Sequence, residues 1–420
     1  MTLNPERLRL IRERFAAAYG GEPTLWSRAP GRVDLMGSHT DYNDGHVMTM
    51  TLDRDTWLSA RPRRDRLVRA ESLNLTHGTQ AAQTEFSLDD LRPDHGAPWG
   101  NYLRAIAWAL DEAGYPLVGF DAVVHSTVPL GSGLSSSAAL ELVTALTFLG
   151  LAGEQVEPVA LARLAQRAEN EFVGVQCGIL DQYSSAMGEE GCALLLDCRT
   201  VSSSAVPLGA GLQLVIGDTR SPRHLVGSEY DERRAQCRSG AEYFQRFGPQ
   251  IRSLRDVPAA LFAAHRQALD PLVARRCQFI IEENARVLAL EKALRDGDRA
   301  ALAALFQASF QGARDQYEIV VPAMQQMQAA MLGAPGVIGA RQAGAGFGGC
   351  LVALVDETQV GAFSEAVTGE YARRTGLQAA VYPVRPSMGA SRLKAAALGP
   401  ISDPGASRPE GRVSDVPSRL

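Results

Sequence analysis

The sequence predicts a mixed α/β or α+β fold of two or three domains, and three observations carry that expectation. Strand-like and helix-like stretches alternate along the chain without an internal repeat, which is the pattern of a mixed fold. At 420 residues the chain exceeds one ordinary core, since roughly 100–200 residues make a domain. Its 45% hydrophobic and 21% charged residues are those of a globular protein, not a disordered or fibrous one. Residues 399–420, with four prolines, three glycines and four serines, hold too little apolar surface to offset ordering and read as a disordered tail.

The elements follow in order. Residues 120–128 alternate Phe120, Ala122, Val124, Ser126 and Val128, the period of a half-buried strand, and Pro129 ends it. A Gly/Ser loop follows, then a helix with Ala139, Leu142, Val143, Leu146 and Leu149 on its apolar side. A second helix begins at Glu157-Pro158 and lines up Leu161, Leu164, Ala165, Ala168 and Phe172. Late in the chain, residues 337–340 and 351–355 read as strands around a glycine-rich loop.

Composition excludes several functions. Net charge is −5, from 47 acidic and 42 basic residues, so no bulk positive field exists to hold nucleic acid or an anionic membrane. The most apolar helical stretch, 138–152, carries Glu141 and is too short to span a bilayer. Charges from residue 6 onward leave no signal-peptide apolar region. The six cysteines are scattered without a CxxC pair, so we expect reduced thiols in a cytoplasmic protein and no zinc site. Only Lys292 and Lys394 are lysines, so a Schiff-base or phosphate-loop lysine has just those two candidates.

Four stretches carry chemistry. In Pro129-Leu-Gly-Ser-Gly-Leu-Ser-Ser-Ser-Ala-Ala139, Gly131 and Gly133 let the backbone approach a ligand while Ser135, Ser136 and Ser137 supply hydroxyls. The free N–H groups of the following helix complete an anion site suited to nucleotide phosphates. A plain turn with a serine N-cap is the competing reading. The stretch is not a GxxxxGK[ST] loop.

In residues 30–45, Val33 and Leu35 alternate with Arg32 and Asp34, so a short strand runs into a loop bearing Ser38, His39, Thr40, Asp41, Tyr42 and Asn43. That density of donors and acceptors suits a hydroxyl-rich ligand. A solvated turn explains Asn43-Asp-Gly45 equally well, but not His39 or Asp41. In residues 168–182, Asp181 follows Ile179-Leu180 and is expected partly buried, where a carboxylate needs a partner such as Arg32; alone, it reads as a salt bridge or cap. Glu169 faces either a metal or solvent. Finally, residues 344–349 match GxGxxG, but the strand-like 351–355 follows where a dinucleotide fingerprint needs a helix. A loop packed closely against another loop or a ligand fits better.

Together and in this order, these stretches resemble the GHMP small-molecule kinases and, among them, the galactokinase family. Residues 31–47 are similar to that family's GRVNLIGEHTDYNxGxV, residues 129–141 to PxGxGLSSSAxxE, residues 177–182 to CGIMDQ, and residues 339–350 to its third motif. Further likeness lies at 227–234, 275–286, 313–318 and 385–387, so the resemblance covers roughly 25–393. It implies a two-domain α+β architecture, a ribosomal-protein-S5-like N-terminal domain at 1–205 and a ferredoxin-like C-terminal domain at 206–398, with the active site in the cleft. It also implies transfer of the ATP γ-phosphoryl to the anomeric hydroxyl of a galactose-like hexose by a monomer or weak homodimer. Carried over, Asp181 is the base and Arg32 steadies the reacting oxygens. Gly131, Ser132, Gly133, Leu134, Ser135, Ser136, Ser137 and Ala138 hold ATP, and Ser137 and Glu169 hold Mg²⁺. Ser38, His39, Asp41, Gly178 and Tyr230 hold the sugar. This chain departs from the pattern in two places: Ser38 replaces a glutamate that receives the C6 hydroxyl, and Asp34 replaces an asparagine. Those departures leave L-arabinose and D-galacturonate as alternatives to D-galactose, and a non-catalytic sugar and ATP sensor as the reading from another class.

Overall fold

The computed structural model describes residues 4–75, 82–221 and 227–394; the expected tail at 399–420 lies outside them. The strands are β1 (Leu25–Met36), β2 (His46–Pro62), β3 (Leu67–Ser72), β4 (Gln83–Ser87), β5 (Phe120–Ser126), β6 (Cys192–Asp197), β7 (Ser202–Pro207), β8 (Leu212–Asp218), β9 (Val337–Gln342), β10 (Cys350–Asp356), β11 (Ala380–Val384) and β12 (Ser391–Arg392). The helices are α1 (Pro5–Tyr19), α2 (Gly100–Glu112), α3 (Ser136–Ala152), α4 (Pro158–Arg167), α5 (Leu180–Met187), α6 (Gly227–Phe244), α7 (Ala259–His265), α8 (Pro271–Asp296), α9 (Arg299–Asp315), α10 (Pro322–Leu332) and α11 (Val360–Thr375).

Two sheets organise them. The larger runs β12-β1-β2-β5-β3-β4, with β6 on β2 and β7 on β6; the smaller runs β11-β8-β10-β9. The 17-residue β2 is the spine of the first: it pairs along β1, then with β5 through its C-terminal half and with β6 through its N-terminal half. Helices α2 and α3 seal one face with a core of Leu103, Ile106, Leu142, Val143 and Phe148 against Leu58, Val68 and Phe120. A further core joins the sheets: Val33, Leu35, Met48 and Met50 pack with Leu214, Ile216, Val352 and Leu354. The period-2 alternation of β1 therefore sends Val33 and Leu35 inward and leaves Arg32 and Asp34 on the opposite side.

Local departures have local causes. The expected 120–128 strand stops at Ser126, because Thr127 N–H turns to the Asp55 carbonyl at 2.9 Å. The apolar stripe from Leu161 to Phe172 does not run as one α-helix: α4 ends at Arg167 and Ala168–Val173 widens into a π-turn. There the Gly174 and Val175 N–H groups share the Glu169 carbonyl at 3.0 and 3.2 Å. Such π-turns recur at functional sites because they re-aim one side chain, here Glu169. The segment after β9 closes an antiparallel hairpin with β10, with no helix following, as expected for a loop that is not a dinucleotide fingerprint. No helix among the described residues is long and apolar enough to cross a membrane.

Candidate active site

A cavity of about 590 Å³ opens where the end of β1, the start of α3, the π-turn and the β9–β10 loop converge. It is lined by Arg32, Ser38, His39, Asp41, Gly131, Gly133, Ser135, Ser136, Ser137, Glu169, Gly178, Asp181 and Tyr230, all expected from the sequence. Three others are turned away from it. Ser132 spends its hydroxyl on the Pro129 carbonyl at 2.8 Å, Leu134 belongs to the core shared by the sheets, and Ala138 is fully buried in α3. They shape the loop from behind.

The loop before α3 is built for an anion. Ser135 occupies the N-cap in the left-handed region, φ 58°, yet its side chain makes no capping bond and its buried Oγ has no partner. The cap reading therefore fails to account for this hydroxyl. Oxygens such as those of a phosphate satisfy both it and the open N–H groups of the first turn. From the other side, Gly344 lies so close that an added Cβ would sit 3.2 Å from the Gly133 carbonyl, and Cys350 N–H bonds the Ser132 carbonyl at 3.2 Å. The glycines of the late loop thus serve a close loop-on-loop approach.

Arg32 joins this loop to Asp181. Its Nε and Nη2 both donate to Asp181 Oδ1, at 2.8 and 2.5 Å, and Nη1 donates to the Gly133 carbonyl at 2.8 Å. Its backbone N–H bonds the Leu134 carbonyl at 3.1 Å. Asp181 sits in the first turn of α5 and keeps a quarter of its side chain exposed to the cavity, while Arg32 is 7% exposed.

Beside it, Glu169 accepts from Gln182 Nε2 at 2.6 Å and from the Cys177 thiol at 3.2 Å, with Ser137 as a further hydrogen-bond partner. Burial, then the Asp181 charge, pushes Glu169 up to about 7. Gln182 Nε2 also donates to Glu141 at 3.0 Å, and burial raises that fully enclosed carboxyl well above its ordinary range. Ser137 and Glu169 offer two hard oxygen donors next to the anion loop. That set fits Mg²⁺, which takes few protein ligands and fills its octahedron with phosphate and water. Among the described residues, no group of three or more His, Cys, Asp or Glu side chains could hold a metal without such help.

The loop after β1 is held by an unbroken polar chain. His39, in the left-handed region at φ 66°, bonds Tyr42 Oη through Nδ1 and the Ala345 carbonyl through Nε2, both at 2.8 Å. Tyr42 Oη then meets Tyr317 Oη at 2.8 Å. Both His39 ring nitrogens are therefore committed to protein partners, and its ring lies beside Tyr230, 5.3 Å away between centroids. Asp41 is the open acceptor. Burial, reinforced by the Asp181 charge, pushes it up to about 6. Beneath it, an added Cβ on Gly178 would lie 1.9 Å from Asp41 Oδ2, so only glycine lets this carboxylate reach its place. Gly178→Ala should displace Asp41 and cut kcat/KM for sugar about 10²-fold, with KM for ATP unchanged in steady-state assays.

Of the other lining residues, Tyr102 gave no signal in the sequence, whereas Gly344 and Ala345 come from the glycine-rich loop expected to pack against another loop or a ligand. Tyr102 on α2 reaches the cavity near Glu169, and the pocket floor is closed by Gly344 and Ala345. Ser38 is buried against Asp34, four residues earlier, and against Arg341 from a distant segment. Tyr102 lies in an unremarkable helical stretch, and nothing in the spacing of residue 341 announces its partners.

Residues 101–189 match the GHMP kinases N terminal domain and residues 290–373 the GHMP kinases C terminal domain. The mevalonate kinase of Methanococcus jannaschii shares the fold at TM-score 0.61 with 15% identity, over 87% of this chain and 99% of that one. The class is thus that of the GHMP kinases, and the expected α+β fold is the fold the chain has. Within the class, residues 13–62 match the galactokinase galactose-binding signature. The chain is 41% identical over 383 residues to the galactokinase of Roseiflexus sp. (strain RS-1), covering 91% of this chain and 96% of the relative. It is 41% identical over 374 residues to that of Chloroflexus aggregans, covering 88% and 93%. The Lactococcus lactis galactokinase solved with galactose superposes at TM-score 0.88, with 34% identity over 92% of this chain and all of that one. The chain belongs to the galactokinase family.

Proposed function

We propose that the protein transfers the γ-phosphoryl group of ATP to the anomeric hydroxyl of D-galactose, giving galactose 1-phosphate and ADP. One observation carries the reading: Asp181, tethered by Arg32, stands between an anion loop and a loop of sugar-type acceptors in one cavity. In this account galactose donates its O1 proton to Asp181 as O1 attacks the γ-phosphorus and the bond to the ADP oxygen breaks. Arg32 fixes the angle of the carboxylate and carries positive charge beside the transferring group. Asp41, the Gly178 backbone and Tyr230 hold the hexose. The open hydroxyl of Ser135 and the α3 N-terminus hold the phosphates. Ser137 and Glu169 would hold Mg²⁺, which screens phosphate charge when bound. We further read the chain as two domains, 1–205 and 206–398, of a cytoplasmic monomer or weak homodimer.

The test is ATP turnover with magnesium against D-galactose, L-arabinose, D-galacturonate, D-glucose and no sugar. Galactose should be preferred. Sugar binding without sugar-dependent turnover would overturn the kinase reading in favour of a sensor. The titration of Asp41 adds a pH dependence of known sign. Above about 6 it is an anion that accepts sugar hydroxyls; below, it gains a proton and loses that capacity. KM for galactose should climb by up to about tenfold per pH unit below that point, a slope read directly from a KM profile between pH 5 and 8.

A further inference from the structure

Behind the cavity wall lies a pair of polar side chains that the proposed reaction does not use: Glu141 on α3 and Gln182 on α5, both fully buried. Gln182 follows Asp181 in the first turn of α5. Consecutive helical residues diverge by about 100°, so Asp181 lines the cavity while Gln182 points into the protein.

Gln182 Nε2 donates to Glu169 Oε2 at 2.6 Å and to Glu141 Oε2 at 3.0 Å. A primary amide carries two N–H groups, so both are committed, each to a different carboxyl group. The reverse amide orientation would set its oxygen against both acceptors, so these two bonds fix which way the side chain points. On Glu169, the Gln182 amide and the Cys177 thiol both end on Oε2, which pins the carboxylate by one oxygen and leaves Oε1 free of them. The neighbouring charge felt by Glu169 is that of Asp181, and Glu141 feels those of Glu169 and Asp181, every one of them acidic. What steadies Glu169 is neutral: Gln182, Cys177 and Ser137. A carboxylate held by neutral donors keeps its charge for an incoming cation instead of neutralising it on an arginine.

From this geometry we infer that Gln182 is the positioning residue for Glu169, aiming one of its oxygens at the divalent cation that accompanies the nucleotide, and that Glu141 is the anchor holding Gln182 in that pose. The inference rests on the metal reading of Ser137 and Glu169 and deepens it. Gln182 and Glu141 act from outside the set of side chains that line the cavity. Ser137 and Glu141 stand one turn apart on the same side of α3. One helix therefore offers the metal a hydroxyl and, through Gln182, fixes the carboxylate opposite it. Groups that orient a metal ligand are worth about 10–100-fold in metal affinity.

The experiment measures, by calorimetry, the Kd of the β,γ-imido analogue of ATP with excess Mg²⁺ and with EDTA; the ratio of the two is the metal's contribution to nucleotide binding. The variants are Q182L, E141L and E141Q. Q182L keeps about the size of the side chain and removes both N–H groups. Its metal contribution should fall about tenfold or more, while the Kd with EDTA and the Kd for galactose stay within about twofold of wild type. If Q182L does not fold, the two Glu141 variants decide the matter. E141L exchanges a buried acid for an apolar side chain and leaves the second Gln182 N–H without its acceptor, so the metal contribution should fall about tenfold. E141Q retains an acceptor oxygen for that N–H and should keep the contribution within about twofold of wild type.

A wild type that binds the analogue equally with and without Mg²⁺ would overturn the inference. So would Q182L or E141L with the wild-type ratio, E141Q as impaired as E141L, or equal losses for galactose and nucleotide. Galactose-dependent turnover of the wild type, recorded alongside, tests the kinase reading separately. A protein with the metal contribution but without turnover fails that reading and leaves this one standing.

Discussion

Replacing Asp181 with asparagine should lower kcat by about 10²–10⁴-fold, the usual worth of a positioned base, while the Kd for galactose stays nearly unchanged. The amide keeps the shape of the carboxylate and an oxygen for Arg32 Nε and Nη2, which now converge on Asp181 Oδ1. The groups proposed to bind sugar, Asp41 in the loop after β1 and Tyr230 on α6, are left in place. What disappears is the capacity to take the O1 proton. The measurement is a pair: steady-state kcat and a calorimetric Kd. Asp181→Ala is the informative contrast, because it strips Arg32 of its partner in a mostly buried setting and should lower stability as well. Retained turnover in D181N would show that the proton leaves by another route.

Much of this site was legible because its motifs are local. The Gly/Ser loop, the polar run from Ser38 to Asn43 and the apolar pair before Asp181 each advertise their chemistry within a dozen residues. Strands at 337–342 and 350–356 were likewise legible from short apolar runs bounding glycines. What was not legible depends on packing. The stripe from Leu161 to Phe172 has helical spacing throughout, yet the backbone widens at Ala168, since periodicity reports which side is apolar and not how tightly the chain winds. The resemblance implied His39 as a sugar contact; what no motif conveyed is that its ring nitrogens bond Tyr42 and the Ala345 carbonyl, the latter 306 residues away. Ser38 looked like a simple shortening of a glutamate. Its partners are Asp34, four residues earlier on the other side of a β-bulge, and Arg341 on another sheet. No window of sequence joins those three.

Arg32 should prove the residue whose loss is felt by both substrates. Its side chain grips the carboxylate of Asp181 and the Gly133 carbonyl, while its backbone N–H holds the Leu134 carbonyl, so one residue sets Asp181 and the Gly/Ser loop at a fixed separation. Arg32→Ala removes charge-assisted bonds worth about 1.5–3 kcal/mol each. It should lower kcat/KM by about 10²–10³-fold, with KM raised for ATP as well as galactose. Arg32→Lys separates charge from shape. The ammonium restores a positive group but offers no planar fork able to reach Asp181 and Gly133 together. Stability should return toward wild type in R32K while most of the activity does not. Thermal midpoints and the two KM values, measured on both variants, decide it. A rise confined to the galactose KM would mean that the tether to the phosphate loop carries no functional load. A rise in both, together with a kcat loss in R32K despite recovered stability, would mean that Arg32 holds base and phosphates in register for transfer.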